Sequence, residues 1–143
     1  MTLLQSRALY LLVLTLAIVM VAGCGPKKAD TPEDAARMLI AAFGKGDTKA
    51  AADMVAWDAM AKKENGDWDS IPQHQRRLIV DKEKEMNAAA LAAFGRNLTG
   101  AEVGASTPSG DGATVSVRTS AGQFNLEAIQ GETGWKIVMP AQL

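Results

Sequence analysis

Residue types that carry chemistry in proteins are scarce in this 143-residue chain. It has one cysteine, which excludes an internal disulfide, and one histidine, which excludes a zinc site built from clustered His and Cys ligands. An excess of charge of one sign is also lacking, since 15 Lys and Arg residues alternate with 16 Asp and Glu residues. We therefore exclude nucleic-acid binding through a basic field, and we expect neither a metal nor another cofactor.

The chain has one long apolar run, at its N-terminus. Arg7 precedes it, and Ala8 to Ala22 is apolar apart from Thr15. Fifteen residues of helix would span about 22 Å, which is less than the roughly 30 Å of a bilayer's hydrocarbon core. That length is typical of the hydrophobic region of a secretory signal peptide. We predict a signal peptide over residues 1–23.

The run ends in Val21-Ala22-Gly23-Cys24, which contains the only cysteine. This sequence resembles the lipobox of bacterial lipoproteins at all four positions. The resemblance implies cleavage between Gly23 and Cys24, and a diacylglycerol thioether on Cys24. The membrane would then be a partner through several acyl chains, which anchor far more stably than one. An uncleaved anchor helix and a buried cysteine are the alternatives.

Residues 24–30 contain the lipidated cysteine and a segment without apolar periodicity. We interpret this segment as a tether, which would keep the following domain at the cell envelope and facing away from the cytoplasm. Gly25 follows the cysteine. In Gram-negative lipoproteins, the family's sorting rule implies that a chain with Gly there goes to the periplasmic side of the outer membrane.

Three helices are predicted after the tether. Thr31 is an N-cap followed by Pro32, and glycines after Phe43 end this first helix. Asp47 caps a second helix that ends near residue 65, and Ser70 and Pro72 start a third that runs to about Phe94. The buried stripe of this third helix is predicted to contain Ile71, Leu78, Ile79, Met86, Ala89, Ala90 and Ala93.

After Gly95 the apolar spacing changes from helical to alternating. We predict four strands joined by hairpins, with the first over residues 98–106. The inward residues of the other three are expected to be Ala113, Val115 and Val117; Phe124, Leu126 and Ala128; and Trp135, Ile137 and Met139. Residues 31–143 are therefore predicted to form one α+β domain, with three helices packed on one face of a four-stranded antiparallel sheet.

Three short motifs resemble those of a known family. Residues 31–36 (TPEDAA), 46–51 (GDTKAA) and 134–137 (GWKI) are similar to segments of the nuclear-transport-factor-2-like superfamily. More narrowly, they resemble those of its small bacterial lipoproteins with a cystatin-like core. This resemblance implies a curved sheet around a long helix, giving a cone whose interior can be a pocket. The superfamily contains enzymes, ligand binders and assembly domains, so the fold alone does not choose between them.

The residues that serve catalysis in that superfamily are mostly missing. Its ketosteroid-isomerase-type enzymes use a pocket tyrosine, whereas Tyr10, the only tyrosine here, lies in the signal peptide. Its dehydratases and cyclases use His with Asp, and the only histidine, His74, lies in a polar stretch at a predicted helix start. We expect His74 to be solvated, and we predict no catalytic residue.

Two tryptophans are the candidate contact residues. Trp68 stands between two aspartates in a predicted loop, where it could form a pocket rim or contact a partner; the alternative is an aromatic plug over the core. Trp57 lies about a quarter-turn from the apolar stripe of the second helix, which favours packing at the core boundary.

These observations favour a membrane-tethered, non-enzymatic domain that binds a small apolar ligand or a cell-envelope protein. Two other classes stay open. One is a hydrolase or dehydratase that uses the cone pocket, which two ionisable groups converging in an apolar cavity would indicate. The other is a structural accessory subunit of an envelope complex, which a filled interior together with an exposed apolar sheet face would indicate.

The lipid anchor gives the first testable prediction. Intact-mass analysis of membrane-extracted protein should show an N-terminus at Cys24 and added acyl mass. Cys24→Ser should block this processing because serine has no thiol to receive the lipid. An unmodified thiol at Cys24 in the mature protein would contradict the prediction.

Overall fold

A computed structural model describes residues 28–140 of the chain. The predicted signal peptide, the cleavage site at Gly23 and the lipid attachment at Cys24 lie outside the described residues. Within these residues, helices come first and a four-stranded antiparallel sheet follows, which confirms the predicted α+β class. No helix from residue 28 to residue 140 is long and apolar enough to span a bilayer.

The helices and strands follow one another in chain order. The helices are α1 (Pro32–Gly44), α2 (Thr48–Asp53), α3 (Trp57–Glu64), a short 3-10 helix (Trp68–Ser70), α4 (Gln73–Met86) and α5 (Ala88–Asn97). The strands are β1 (Glu102–Ser109), β2 (Gly112–Thr119), β3 (Gly122–Gly131) and β4 (Gly134–Val138). Each strand pairs with the next, giving the sheet order β1-β2-β3-β4.

The first two helices begin at the predicted caps. The Thr31 hydroxyl accepts a hydrogen bond of 3.1 Å from the backbone N–H of Asp34 at the start of α1. The Asp47 carboxylate accepts one of 2.9 Å from the N–H of Ala50 in α2. Each bond satisfies a backbone donor that has no partner within its helix.

The described residues contain five α-helices, where the sequence predicted three. The predicted second helix is interrupted at Met54–Ala56, because this segment pairs with β4 instead. The N–H of Ile137 donates to the Met54 carbonyl, and the N–H of Ala56 donates to the Ile137 carbonyl, each at 2.8 Å. Apolar periodicity continues across this break, so the pattern of side chains alone did not reveal it.

The predicted third helix is interrupted at Asn87. The side-chain amide of this residue donates to the carbonyl and to the carboxylate of Glu83, and α4 ends there. The interruption changes which residues are buried. Leu78 and Met86, which were predicted to be buried, are 66% and 62% exposed, whereas Val80, Leu91 and Phe94 are buried.

The alternating pattern correctly predicts the inner face of the sheet. Ala113, Val115 and Val117 of β2 are buried, and Val115 lies opposite Leu126 of β3. The first strand begins later than predicted, at Glu102. Leu98, the predicted start of that strand, is instead fully buried directly after α5.

The edge strand β1 is irregular and is contacted by α1. The register of β1 with β2 shifts between Val103 and Ser106, as in a β-bulge. The N–H of Ser106 donates to the Glu33 carboxylate at 2.9 Å. Hydrogen bonding from Ser106 lowers the pKa of Glu33 below its ordinary 4.5. The hydrogen bond therefore stabilises the fold at pH values above the ordinary pKa of Glu33. This stabilisation is lost as the pH falls through the lowered pKa of Glu33 in the folded protein.

The outer edge of β4 is covered by the start of the described chain. Ala29, which the sequence assigned to the tether, is buried, and its carbonyl accepts a hydrogen bond of 2.9 Å from the N–H of Trp135. Gly134 permits this approach, because a Cβ there would lie 2.6 Å from the Ala29 oxygen. Packing of the chain against the domain therefore begins before the predicted boundary at residue 31.

Replacing Gly134 tests the contact with Ala29. Its φ of +103° already disfavours a side chain, and the new Cβ would also displace the Ala29 backbone. Gly134→Ala should lower the free energy of unfolding by about 3 kcal/mol. Gly122→Ala is the matched control, because Gly122 has a φ of +141° but open space around it, and should cost about 1–2 kcal/mol. Equal losses in urea titrations would contradict a role for the contact.

Candidate functional site

The interior of the domain is filled by apolar side chains. α1 contacts all four strands and covers the inner face of the sheet, with Leu39 fully buried. Between residues 28 and 140, no polar or charged residue is buried and no buried side-chain polar atom lacks a hydrogen bond. Candidate sites within this part of the chain are therefore clefts that open at the surface.

One of these clefts, which we call the distal cleft, has a volume of about 650 Å³. It lies where the β2–β3 turn (residues 120–121) meets the end of α5. Its apolar lining is formed by Phe94, Phe124, Leu126 and Pro140. Phe94 and Leu126 also belong to the core, so a rigid part of the molecule supports the cleft.

The rim of the distal cleft is polar and nearly uncharged. Neutral hydrogen-bonding side chains surround it, including those of Asn97, Thr119, Gln123 and Asn125. Arg96 is the only ionisable side chain among its lining residues. Because no carboxylate lines the cleft, it offers no acid–base pair, but it can take an apolar group together with a polar or anionic one.

A second cleft, which we call the carboxylate cleft, has a volume of about 590 Å³ and lies between α3, α4, α5 and the end of β4. Its apolar lining includes Met60, Val138 and Met139. Glu64 of α3 and Glu83 of α4 both line it. The sequence did not predict this pair, because the two residues lie on separate helices without a shared spacing.

The environment of Glu83 favours its protonated form. Desolvation by the surrounding protein, followed by the charge of Glu64 and a hydrogen bond with it, raises the pKa of Glu83 above its ordinary 4.5. Asn87 opposes this shift by donating to the carboxylate at 2.9 Å. A carboxyl group of this kind can hold and transfer a proton nearer to neutral pH.

Both candidate tryptophans lie mostly in the core. Trp57 is 3% exposed, and its indole N–H donates to the Ala52 carbonyl at 2.7 Å. Trp68 is 7% exposed and lies under the guanidinium of Arg76, 5.9 Å from the ring centre. For Trp57 this placement agrees with packing at the core boundary. For Trp68 it agrees with an aromatic plug over the core. Neither residue lines the distal or the carboxylate cleft, and their contact with a ligand or partner stays a prediction.

The remaining sequence candidates are dispersed. His74 is exposed in the first turn of α4 and lines neither cleft. No group of three His, Cys, Asp or Glu residues in the described range is arranged to hold a metal ion. Thr114, Ser116, Asn125 and Glu127 alternate with the buried residues of β2 and β3, so the outer sheet face there is polar.

Comparison with known proteins does not assign the chain to a family or to a function. No family model matches the chain, and no curated protein or solved structure matches it either. Function is therefore inferred from the clefts themselves.

The carboxylate cleft generates a prediction about pH. Because the pKa of Glu83 is raised on folding, its contribution to stability is full below the unfolded-state pKa and is lost as the pH rises through the folded-state pKa. Glu64→Gln removes the neighbouring charge, so it should lower the titration midpoint of Glu83 and reduce this loss. Carboxyl-carbon NMR measures the midpoint directly.

Glu85→Gln is the matched control, because Glu85 is exposed on the same helix and lies outside the cleft. It should leave the midpoint of Glu83 where it is in the unmodified protein. An unchanged midpoint in Glu64→Gln would show that the two carboxyl groups do not interact.

Proposed function

We propose that this chain is a membrane-tethered lipoprotein whose domain is a non-enzymatic binding module for a small apolar ligand. The distal cleft carries this proposal. Its volume of about 650 Å³ lies within the range of small-molecule sites, which is about 300–1,000 Å³. Apolar burial against Phe124 and Leu126 would supply affinity, and Arg96 would orient an acidic or strongly polar group of the ligand.

The location of the distal cleft agrees with a tethered binder. The β2–β3 turn lies at one end of the sheet, and the β3–β4 turn, beside Ala29, lies at the other. β3 connects these two turns and has ten residues, so these ends are about 33 Å apart. With a lipid on Cys24, the cleft would face the envelope space and be open to a ligand. A segment of an envelope protein could use the same opening.

The membership in the nuclear-transport-factor-2-like superfamily is also part of this proposal. We propose a cone-like sheet that curves around α1. The contact of α1 with all four strands and the bulge in β1 support this shape, because bulges bend the strand that contains them. The apolar lining of the distal cleft would then be the open end of the cone.

A second candidate function is an enzyme of the hydrolase or dehydratase type. One observation favours it, which is the convergence of Glu64 and Glu83 on the apolar lining of the carboxylate cleft. This pair would supply a proton donor and a base. The enzyme ranks second because both groups lie at a surface cleft, with Glu64 exposed.

Binding of a fluorescent fatty acid, dansyl-undecanoic acid, tests the proposed function. Residues 25–143 without the leader should increase its fluorescence in a saturable way. Phe124→Ala should weaken binding about tenfold because part of the apolar lining is removed. Arg96→Gln should weaken binding of the acid more than that of its methyl ester, since only the acid carries a charge for Arg96.

Arg118→Gln is the matched control, because Arg118 is an exposed cation near the same end of the sheet and does not line the cleft. It should bind the acid as the unmodified protein does. If neither Phe124→Ala nor Arg96→Gln changes the affinity, the distal cleft is not the binding site.

A further inference from the structure

A cationic surface lies beside the point where the described chain begins. Two neighbouring clefts, of about 330 and 530 Å³, share Asp58 and both reach the β3–β4 turn at residues 132–133. Their lining contains five cations, which are Lys28, Arg76, Arg77, Lys84 and Lys136. It contains three carboxylates, which are Asp53, Asp58 and Glu132. We call this surface the anchor-side face.

The cations of the anchor-side face are not neutralised by ion pairs. The two ion pairs among residues 28–140 are Arg37–Asp34 and Lys62–Asp69, and both lie elsewhere. Arg76 donates to the carbonyl of Ile71, and Lys136 donates to that of Asp53. Carbonyl groups leave the positive charge in place, so the face keeps a net attraction for anions.

The chain places this face close to the predicted lipid. Ala29 is fixed by its hydrogen bond to Trp135, next to the β3–β4 turn. Five residue steps separate Ala29 from Cys24, a reach of at most about 18 Å. This is less than the roughly 33 Å length of β3. An acyl chain on Cys24 would therefore hold the anchor-side face close to the bilayer. In an upright domain, the distal cleft at the other end of the sheet would lie farther from the bilayer.

We propose that the anchor-side face binds the anionic headgroups of the membrane that carries the protein. This proposal rests on the proposed anchorage at Cys24 and adds an orientation to it. Lys28 and Lys84 contact lipid phosphates, while the distal cleft points away from the bilayer. Attachment at Cys24 alone would not decide which side of the domain faces the lipid; these charges decide it.

The orientation can be measured on the full chain purified from membranes. Single cysteines at Thr133→Cys and Ser120→Cys place a fluorophore on exposed turns at opposite ends of the sheet. The protein is reconstituted into vesicles that contain a headgroup spin-labelled quencher. The vesicles consist of phosphatidylcholine, either alone or with phosphatidylglycerol. With phosphatidylglycerol, the label at residue 133 should be quenched at least twofold more than the label at residue 120.

Charge reversal provides the decisive comparison. The double substitution Lys28→Glu with Lys84→Glu should remove the difference between the two labels. Lys45→Glu with Arg118→Glu reverses two exposed cations away from the anchor-side face and should preserve it. The proposal is overturned if the double reversal has no effect. Equal quenching at both turns, or the same difference in pure phosphatidylcholine, would overturn it as well.

Failure of the anchor is a separate outcome. Intact mass shows whether Cys24 is lipidated, and an unmodified residue refutes the proposed anchorage alone. In that case the Cys24→Ser background leaves one thiol for each label, and the labelled protein is added to the same vesicles without a lipid anchor. The quenching ratio then still decides whether the anchor-side face contacts anionic lipid.

Discussion

Several features of this domain depend on backbone hydrogen bonds along the outer edge of β4. The carbonyl of Ala29 pairs with Trp135 at one end of the strand, and Met54 to Ala56 pair with Ile137 at the other. A sheet edge without partners exposes a row of unsatisfied N–H and C=O groups, so these two segments complete the sheet without adding a strand. They also separate α2 from α3, require glycine at position 134 and fix where the chain leaves the domain.

The sequence predicted those features that depend on local chemistry. Thr31 and Asp47 accept hydrogen bonds from N–H groups within three residues of themselves, and the alternation from Ala113 to Val117 reflects a strand with one buried face. The breaks at Met54–Ala56 and at Asn87 were missed. The first depends on pairing with a strand some 80 residues later, and the second on a side chain that competes for the Glu83 carbonyl.

In the candidate sites too, the sequence predicted local features and missed those that depend on tertiary packing. Phe124 and Leu126 were predicted on the inner face of their strand, but their position beside Arg96 at an open cleft depends on how α5 meets the β2–β3 turn. Glu64 and Glu83 are brought together only by the packing of α3 against α4. Trp68 illustrates the reverse case, because a tryptophan between two aspartates suggests exposure, whereas a 3-10 turn places its ring in the core.

The irregularity of β1 would have a consequence for a chain held at a membrane by the proposed lipid anchor. In the part of the chain that the structure describes, β1 and β4 are the edge strands. The outer edge of β4 pairs with Ala29 and with Met54–Ala56, whereas that of β1 is contacted by Glu33 at Ser106. Lipid-anchored proteins diffuse in two dimensions, where copies meet often and in similar orientations. A straight edge would allow strands of neighbouring copies to pair into extended sheets. The bulge before Ser106, Pro108 within the strand, and the Glu33 carboxylate on the Ser106 N–H all oppose such pairing.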